Sequence, residues 1–69
     1  MNRVLLGVRG LTTEEAAAKV MASLQAVSGV AEVNNPHTGQ IEVSFDPTLA
    51  TVMDLLRAVR SVGYLAGML

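Results

Sequence analysis

The sequence has no cysteine and no tryptophan, and it has one phenylalanine and one tyrosine among 69 residues. Without cysteine the chain cannot form a disulfide framework, a thiol nucleophile or a thiolate metal site. With so few aromatic side chains it lacks the stacking surface that single-stranded nucleic acids require. Five basic and six acidic residues give a net charge of −1, which provides no basic footprint for phosphate backbones. Nucleic-acid binding is therefore not expected.

Long apolar runs are also absent, because arginine, glycine or polar side chains interrupt each run within a few residues. We therefore expect no membrane insertion. The apolar stretch in residues 1–9 is too short for a secretion signal, so a cytoplasmic location is the default expectation. The chain is nevertheless 51% hydrophobic, which predicts one folded domain with an aliphatic core over residues 1–69.

The spacing of the apolar residues predicts six secondary-structure elements in the order β-α-β-β-α-β. The strands are expected at residues 3–8, 30–34, 41–45 and 64–69. Thr12 is expected to cap the first helix in a capping box, and Thr51 is expected to cap the second. Gly29 and Gly63 are expected to end the helices. The turn formers at residues 35–39 predict a hairpin between the second and third strands.

Right-handed crossovers favour one open antiparallel sheet of four strands with both helices on one face, the ferredoxin-like α+β arrangement. In this topology the connections at residues 9–13, 35–39 and 63–64 meet at one end of the sheet. A site built from loops is expected there. The side chains with relevant chemistry at that end are Arg9, Thr12, Thr13, His37 and Tyr64.

The segment Val8-Arg9-Gly10-Leu11-Thr12-Thr13-Glu14-Glu15-Ala16 resembles the metal loop of heavy-metal-associated domains, in which Gly-Met-Thr-Cys-x-x-Cys opens the first helix. The resemblance continues in register through Gly29-Val30, Thr38-Gly39, Asp46-Pro47 and Gly63-Tyr64. That family includes small copper chaperones, a mercury-binding protein and the N-terminal domains of metal-transporting P-type ATPases. The resemblance implies a ferredoxin-like fold and transfer of a soft metal ion to a like domain of a partner.

The residues equivalent to the metal loop are Gly10, Leu11, Thr12, Thr13 and Ala16. Thr13 stands at the first cysteine position, Ala16 stands at the second, and Leu11 replaces the usual methionine. Soft ions such as Cu(I) select thiolate or thioether donors, and neither a hydroxyl nor a methyl group replaces them. We therefore expect no metal at this loop and no cofactor. The alternative is weak copper or zinc binding through His37 and Thr13.

No constellation of residues predicts an enzyme. The adjacent Glu14 and Glu15 project about 100° apart on a helix, so they do not share one site as a carboxylate pair. Other general bases or nucleophiles do not cluster along the sequence, and catalysis is not expected.

The leading functional hypothesis is a protein-interaction or docking module. Arg57 and Arg60 are candidates for contacting an acidic partner, which the family resemblance implies to be a metal-transporting ATPase or another heavy-metal-associated domain. The alternative is a structural module that forms homo-oligomers. Its contacts would use the open sheet face near Leu5 and Gly7, or the predicted edge strands at residues 30–34 and 64–69.

Overall fold

The computed structural model describes all 69 residues and contains four strands and two helices. The elements are β1 (Asn2–Arg9), α1 (Glu14–Gln25), β2 (Val30–His37), β3 (Gln40–Phe45), α2 (Val52–Ser61) and β4 (Leu65–Met68). The strands form one sheet in the order β2-β3-β1-β4, and every neighbouring pair is antiparallel. This confirms the predicted ferredoxin-like arrangement, with β2 and β4 at the edges.

The core lies between the sheet and the two helices. Alternate residues of β1 and β3 point into it, so that Val4 lies opposite Val43 and Leu6 lies opposite Ile41. The helices contribute Ala16, Ala17, Val20 and Leu24 from α1, and Leu55, Ala58 and Val59 from α2. No polar or charged residue is buried. Each fully buried leucine or isoleucine stabilises the fold by about 1.5–3 kcal/mol.

The two helix starts differ in how well the sequence predicts them. Thr51 caps α2 as expected, in a capping box where it exchanges hydrogen bonds with Asp54. The prediction that Thr12 caps α1 is wrong, because Thr13 is the N-cap and accepts from the Ala16 amide at 3.1 Å. Leu11 is buried in the core, and the chain that follows it becomes helical only after Thr13.

The hairpin between β2 and β3 is also tighter than predicted. Asn35, Pro36 and His37 belong to β2 rather than to the turn, which consists of Thr38 and Gly39. The Asn35 side-chain amide donates to the Gln40 carbonyl at 2.6 Å and to the His37 carbonyl at 2.8 Å. These bonds tie the end of the strand to its neighbour. Because β2 is an edge strand, Pro36 is tolerated there although it has no N–H.

The turn after α1 packs directly against the segment between β3 and α2. Gly29 has a φ of +94°, and a Cβ atom placed on it would lie 2.7 Å from Leu49 Cβ. Its carbonyl also accepts from the Asp46 amide at 2.8 Å. This contact closes the end of the molecule that lies opposite the 9–13 loop. Helix α1 itself ends earlier than predicted, at Gln25.

Asp46 organises the same segment through its carboxylate. The Thr48 hydroxyl and the Thr48 amide both donate to it, at 2.7 and 2.9 Å, and they hold the pKa of Asp46 below its ordinary value. Because the folded pKa is lower than the unfolded one, this interaction stabilises the fold above the unfolded pKa. Its contribution is lost as the pH falls through the folded pKa.

Gly29→Ala is expected to destabilise the protein more than Gly63→Ala does. Both glycines have a positive φ, which costs a residue with a side chain about 1–2 kcal/mol. An added methyl group meets Leu49 at position 29 and nothing within 4 Å at position 63. Urea denaturation of the two variants measures the difference. Equal losses would show that the contact with Leu49 is not tight.

Candidate functional site

Three connections meet at one end of the sheet, and we refer to residues 10–13, 38–39 and 63–64 as the loop end. The Val8 amide donates to the Gly39 carbonyl at 2.7 Å, which joins β1 to the hairpin turn. A Cβ atom on Gly10 would lie 3.9 Å from two ring carbons of Tyr64. The half-buried tyrosine ring therefore packs beside the start of the 10–13 loop.

The 10–13 loop is anchored by an apolar side chain. Leu11 is only 3% exposed and belongs to the core cluster, whereas Thr12 and Thr13 are exposed. Gly10 has a φ of +78° and its carbonyl accepts from the Thr12 amide at 2.9 Å. This tight turn brings Leu11 inward and presents the two threonines at the surface.

Thr13 and Ala16 stand at the two positions that carry cysteine in the metal loops that this segment resembles, and neither has a soft donor atom. The Thr13 hydroxyl is a neutral oxygen and already accepts from the Ala16 amide. The side chain of Ala16 is a methyl group turned into the core. A soft cation such as Cu(I) selects sulfur ligands, so this pair offers it neither the correct atoms nor a negative charge.

A small hollow of about 110 Å³ opens beside these residues. It is lined by Leu11, Thr12, Thr13, Glu14, Ala17, Asn35 and Thr38. The sequence predicts the 35–39 connection at this end of the sheet, and the family resemblance includes Thr38, but neither signal singles out Asn35 or Thr38 as a site residue. The Asn35 amide is already bonded to the hairpin. Glu14 is the only charged group in the lining.

The other candidate ligands do not converge on this hollow. His37 is exposed at the end of β2 and is not part of the lining, and Arg9 is exposed at the end of β1. In the whole chain, no three histidine, aspartate or glutamate side chains come together in a geometry that could hold a metal ion. Thr12 and Thr13 thus line the hollow, whereas His37 and Arg9 do not.

A second surface lies between α2 and β4, where a groove of about 230 Å³ is lined by Met53, Leu56, Arg57, Arg60, Leu65 and Ala66. We call it the α2–β4 groove. Arg57 and Arg60 are exposed on its rim, three residues apart and therefore on one side of the helix. The single ion pair of the chain joins Arg3 to Glu42 at 4.0 Å. Both groove arginines therefore lack a carboxylate partner within the chain.

The arrangement is that of a small ferredoxin-like domain in which a loop leads from β1 into a capped α1. The family model of the heavy-metal-associated domain matches residues 5–64. The chain therefore belongs to the heavy-metal-associated domain family, as the resemblance of the 8–16 segment implied. A comparison with curated protein sequences returns no significant match. Neither helix has the length and hydropathy needed to span a bilayer.

Solved structures support the same assignment. The copper binding domain from HMA7, a P-type ATPase, has a TM-score of 0.94 and 28% identity, with 100% of this chain and 95% of that chain covered. Oxidized MerP from Ralstonia metallidurans CH34 has a TM-score of 0.91 and 29% identity, with 97% and 94% covered. The N-terminal domain of a potential copper-translocating P-type ATPase from Bacillus subtilis has a TM-score of 0.87 and 27% identity, with 96% and 84% covered.

Thr13→Ala is expected to lower the free energy of unfolding by about 1 kcal/mol, because the Ala16 amide loses its N-cap acceptor. Thr13→Ser keeps the hydroxyl and should remain close to the parent protein. Thr12→Ala is the matched control, since Thr12 makes no side-chain hydrogen bond in the structure. Chemical denaturation of the three variants tests the assignment. A larger loss of unfolding free energy in Thr12→Ala than in Thr13→Ala would identify Thr12 as the N-cap.

Proposed function

We propose that this heavy-metal-associated domain is a protein-docking module that does not hold soft metal ions tightly. The observation that carries the proposal is the pair at the metal-loop positions, where Thr13 caps the helix and Ala16 faces the core. The loop has the backbone shape of the family's metal loop, but it has no sulfur donor atoms. We propose that the domain docks to its partner in the cytoplasm and that it catalyses no reaction.

The ligand chemistry of the loop disfavours metal transfer. In transfer between like domains, the metal cargo needs donors that bind it and also release it to the partner. Thiolates provide this for soft ions, whereas a neutral hydroxyl and a methyl group do not. His37 does not line the hollow, and a lone imidazole is a weak site for zinc, which takes three or four ligands from proteins.

The charges beside the α2–β4 groove favour docking. Arg57 and Arg60 have no acidic partner within the chain and flank the apolar α2–β4 groove. Unpaired charges beside an apolar floor favour a partner that presents carboxylates around apolar side chains, and such complementarity governs association rate and selectivity. Two of the structural relatives are domains of P-type ATPases. We therefore propose an acidic metal-transporting ATPase or another heavy-metal-associated domain as the partner.

Metal binding is tested by anaerobic titration of the isotope-labelled protein with Cu(I) and then with Zn(II), followed by NMR. We expect no saturable shifts, because the loop has no soft donor. The double substitution Thr13→Cys with Ala16→Cys is the positive control and should gain stoichiometric Cu(I) binding at the same loop. Saturable shifts at Thr12, Thr13 and His37 of the unmodified protein, abolished by His37→Ala, would instead establish a site without thiolates.

Docking is tested by reversing charge at Arg57 and Arg60 together. Proteins captured from an extract of the source organism are identified by mass spectrometry, and we expect an ATPase or a heavy-metal-associated domain among them. Arg57→Glu with Arg60→Glu should abolish its capture. The matched control reverses Arg3 and Lys19, which changes the net charge equally and leaves the groove intact. Undiminished capture by the Arg57/Arg60 variant would remove this surface from the proposal.

A further inference from the structure

The two edges of the sheet differ in how they are protected against pairing with another strand. The β2 edge carries Glu32, Asn34 and Pro36, and its pairing with β3 is irregular at two places. Charges, proline and bulges of this kind prevent edge-to-edge association. The β4 edge has the sequence Leu-Ala-Gly-Met, without a charge or proline, and its register with β1 is continuous. The β2 edge is therefore protected by charge, proline and irregular pairing, whereas the β4 edge is protected only by its length of four residues.

The β4 edge also presents free hydrogen-bonding groups. The Leu69 amide donates to the Leu5 carbonyl at 2.9 Å, so that Leu69 faces β1 with its backbone groups. In an antiparallel ladder the residues that face a given neighbour alternate. Leu65 and Gly67 therefore also bond to β1, and the N–H and C=O groups of Ala66 and Met68 point away from the sheet.

Apolar side chains concentrate at this edge. Four of the six exposed large hydrophobic residues of the chain lie on it or beside it, and they are Met53, Leu65, Met68 and Leu69. Met68 is 61% exposed and Leu69 is 68% exposed. Single exposed apolar residues are ordinary, whereas a contiguous group marks an interface. The edge therefore offers both backbone groups and an apolar surface to a partner.

We propose that β4 pairs with β4 of a second copy of this chain, antiparallel and about a two-fold axis at Gly67. In this register the outward N–H and C=O groups of Ala66 in one copy form hydrogen bonds with those of Met68 in the other copy. The two-fold axis repeats the same bonds between Met68 of the first copy and Ala66 of the second. Leu65 of one copy then lies across from Leu69 of the other. Every side chain of the strand meets an apolar residue or glycine, so that the surface is complementary to itself, as an isologous interface requires.

Gly67 is consistent with this arrangement. Its φ is not positive, and a Cβ atom on it would have no neighbour within 4 Å. Neither the backbone conformation nor the packing of one chain therefore requires glycine at this position. Glycine weakens a strand interior, and it often marks a place where another backbone approaches closely. The two-fold axis brings the two Gly67 residues opposite each other.

The size and the charge of the surface set the properties of the dimer. A strand of four residues buries less than the ~800 Å² per partner of a typical stable interface, so the dimer is expected to be weak and reversible. Arg57 and Arg60 flank the α2–β4 groove. Pairing of the two β4 strands therefore brings these positive charges of both copies toward the dimer interface, where they repel each other. Salt screens such repulsion between charges that lie more than a Debye length apart, which is about 8 Å at physiological ionic strength and shortens as salt is added.

The dimer should therefore strengthen as salt is added. The docking proposed above pairs the same arginines with carboxylates and should weaken as salt is added. The sign of the salt dependence distinguishes the two proposals, and either can fail without the other.

The experiment is sedimentation equilibrium of the purified chain from micromolar to millimolar concentration, at low and at high salt. We expect a monomer–dimer equilibrium that shifts to dimer with concentration and with salt. Met68→Lys and Ala66→Pro should remain monomeric, because the first places a charge on the edge and the second removes an outward N–H. Leu49→Lys is the control, since Leu49 is 65% exposed and lies in the loop before α2. It should dimerise like the parent chain.

Amide hydrogen exchange provides the second measurement. At high concentration the amides of Ala66 and Met68 should become protected, while those on the β2 edge should not change. A parent chain that stays monomeric at millimolar concentration would overturn the proposal. Protection at β2 instead of β4, or loss of the dimer in Leu49→Lys, would overturn it as well. An NMR spectrum of Met68→Lys that matches the parent away from β4 confirms that the variant is folded.

Discussion

The burial of one face of β1 and β3 under the two helices is the constraint on which the rest of the structure depends. These are the central strands, and Val4, Leu6 and Ile41 are among the side chains they bury. Because side chains alternate along a strand, a slip of one residue would expose this whole set. The register is therefore firmly determined. Once it is set, the end of β1, the β2–β3 turn and the start of β4 must lie together, which builds the loop end without any ligand.

The sequence predicted the elements whose pattern is local. Regular alternation in β1 and β3 and the threonine cap of α2 were sufficient for the element order and for the two edge strands. The start of α1 was missed because Thr12 and Thr13 are equally good caps, and the burial of Leu11, a tertiary contact, selects between them. The position of His37 was missed for a similar reason, since the irregular pairing after Asn34 rearranges the strand end in a way that composition does not encode.

The loop end shows which parts of the family's metal loop belong to folding and which belong to chemistry. Gly10 supplies the positive φ of the turn, Leu11 fills the core, and Thr13 closes the first turn of α1. None of these roles requires sulfur, so the thiolates can be replaced without loss of the backbone arrangement. The similarity to the relatives is correspondingly high in shape and modest in sequence. The backbone shape of this loop is thus independent of the side chains at the two metal-ligand positions.

The threonine cap has a consequence for how the domain behaves under cellular stress. A paired-cysteine loop can be oxidised, and it is occupied or empty according to metal supply, so its surface reports on both conditions. In this chain the hydrogen bond from the Ala16 amide to the Thr13 hydroxyl closes the first turn of α1, and neither peroxide nor metal starvation alters that bond. The closure of this turn is therefore independent of thiol oxidation and of metal supply.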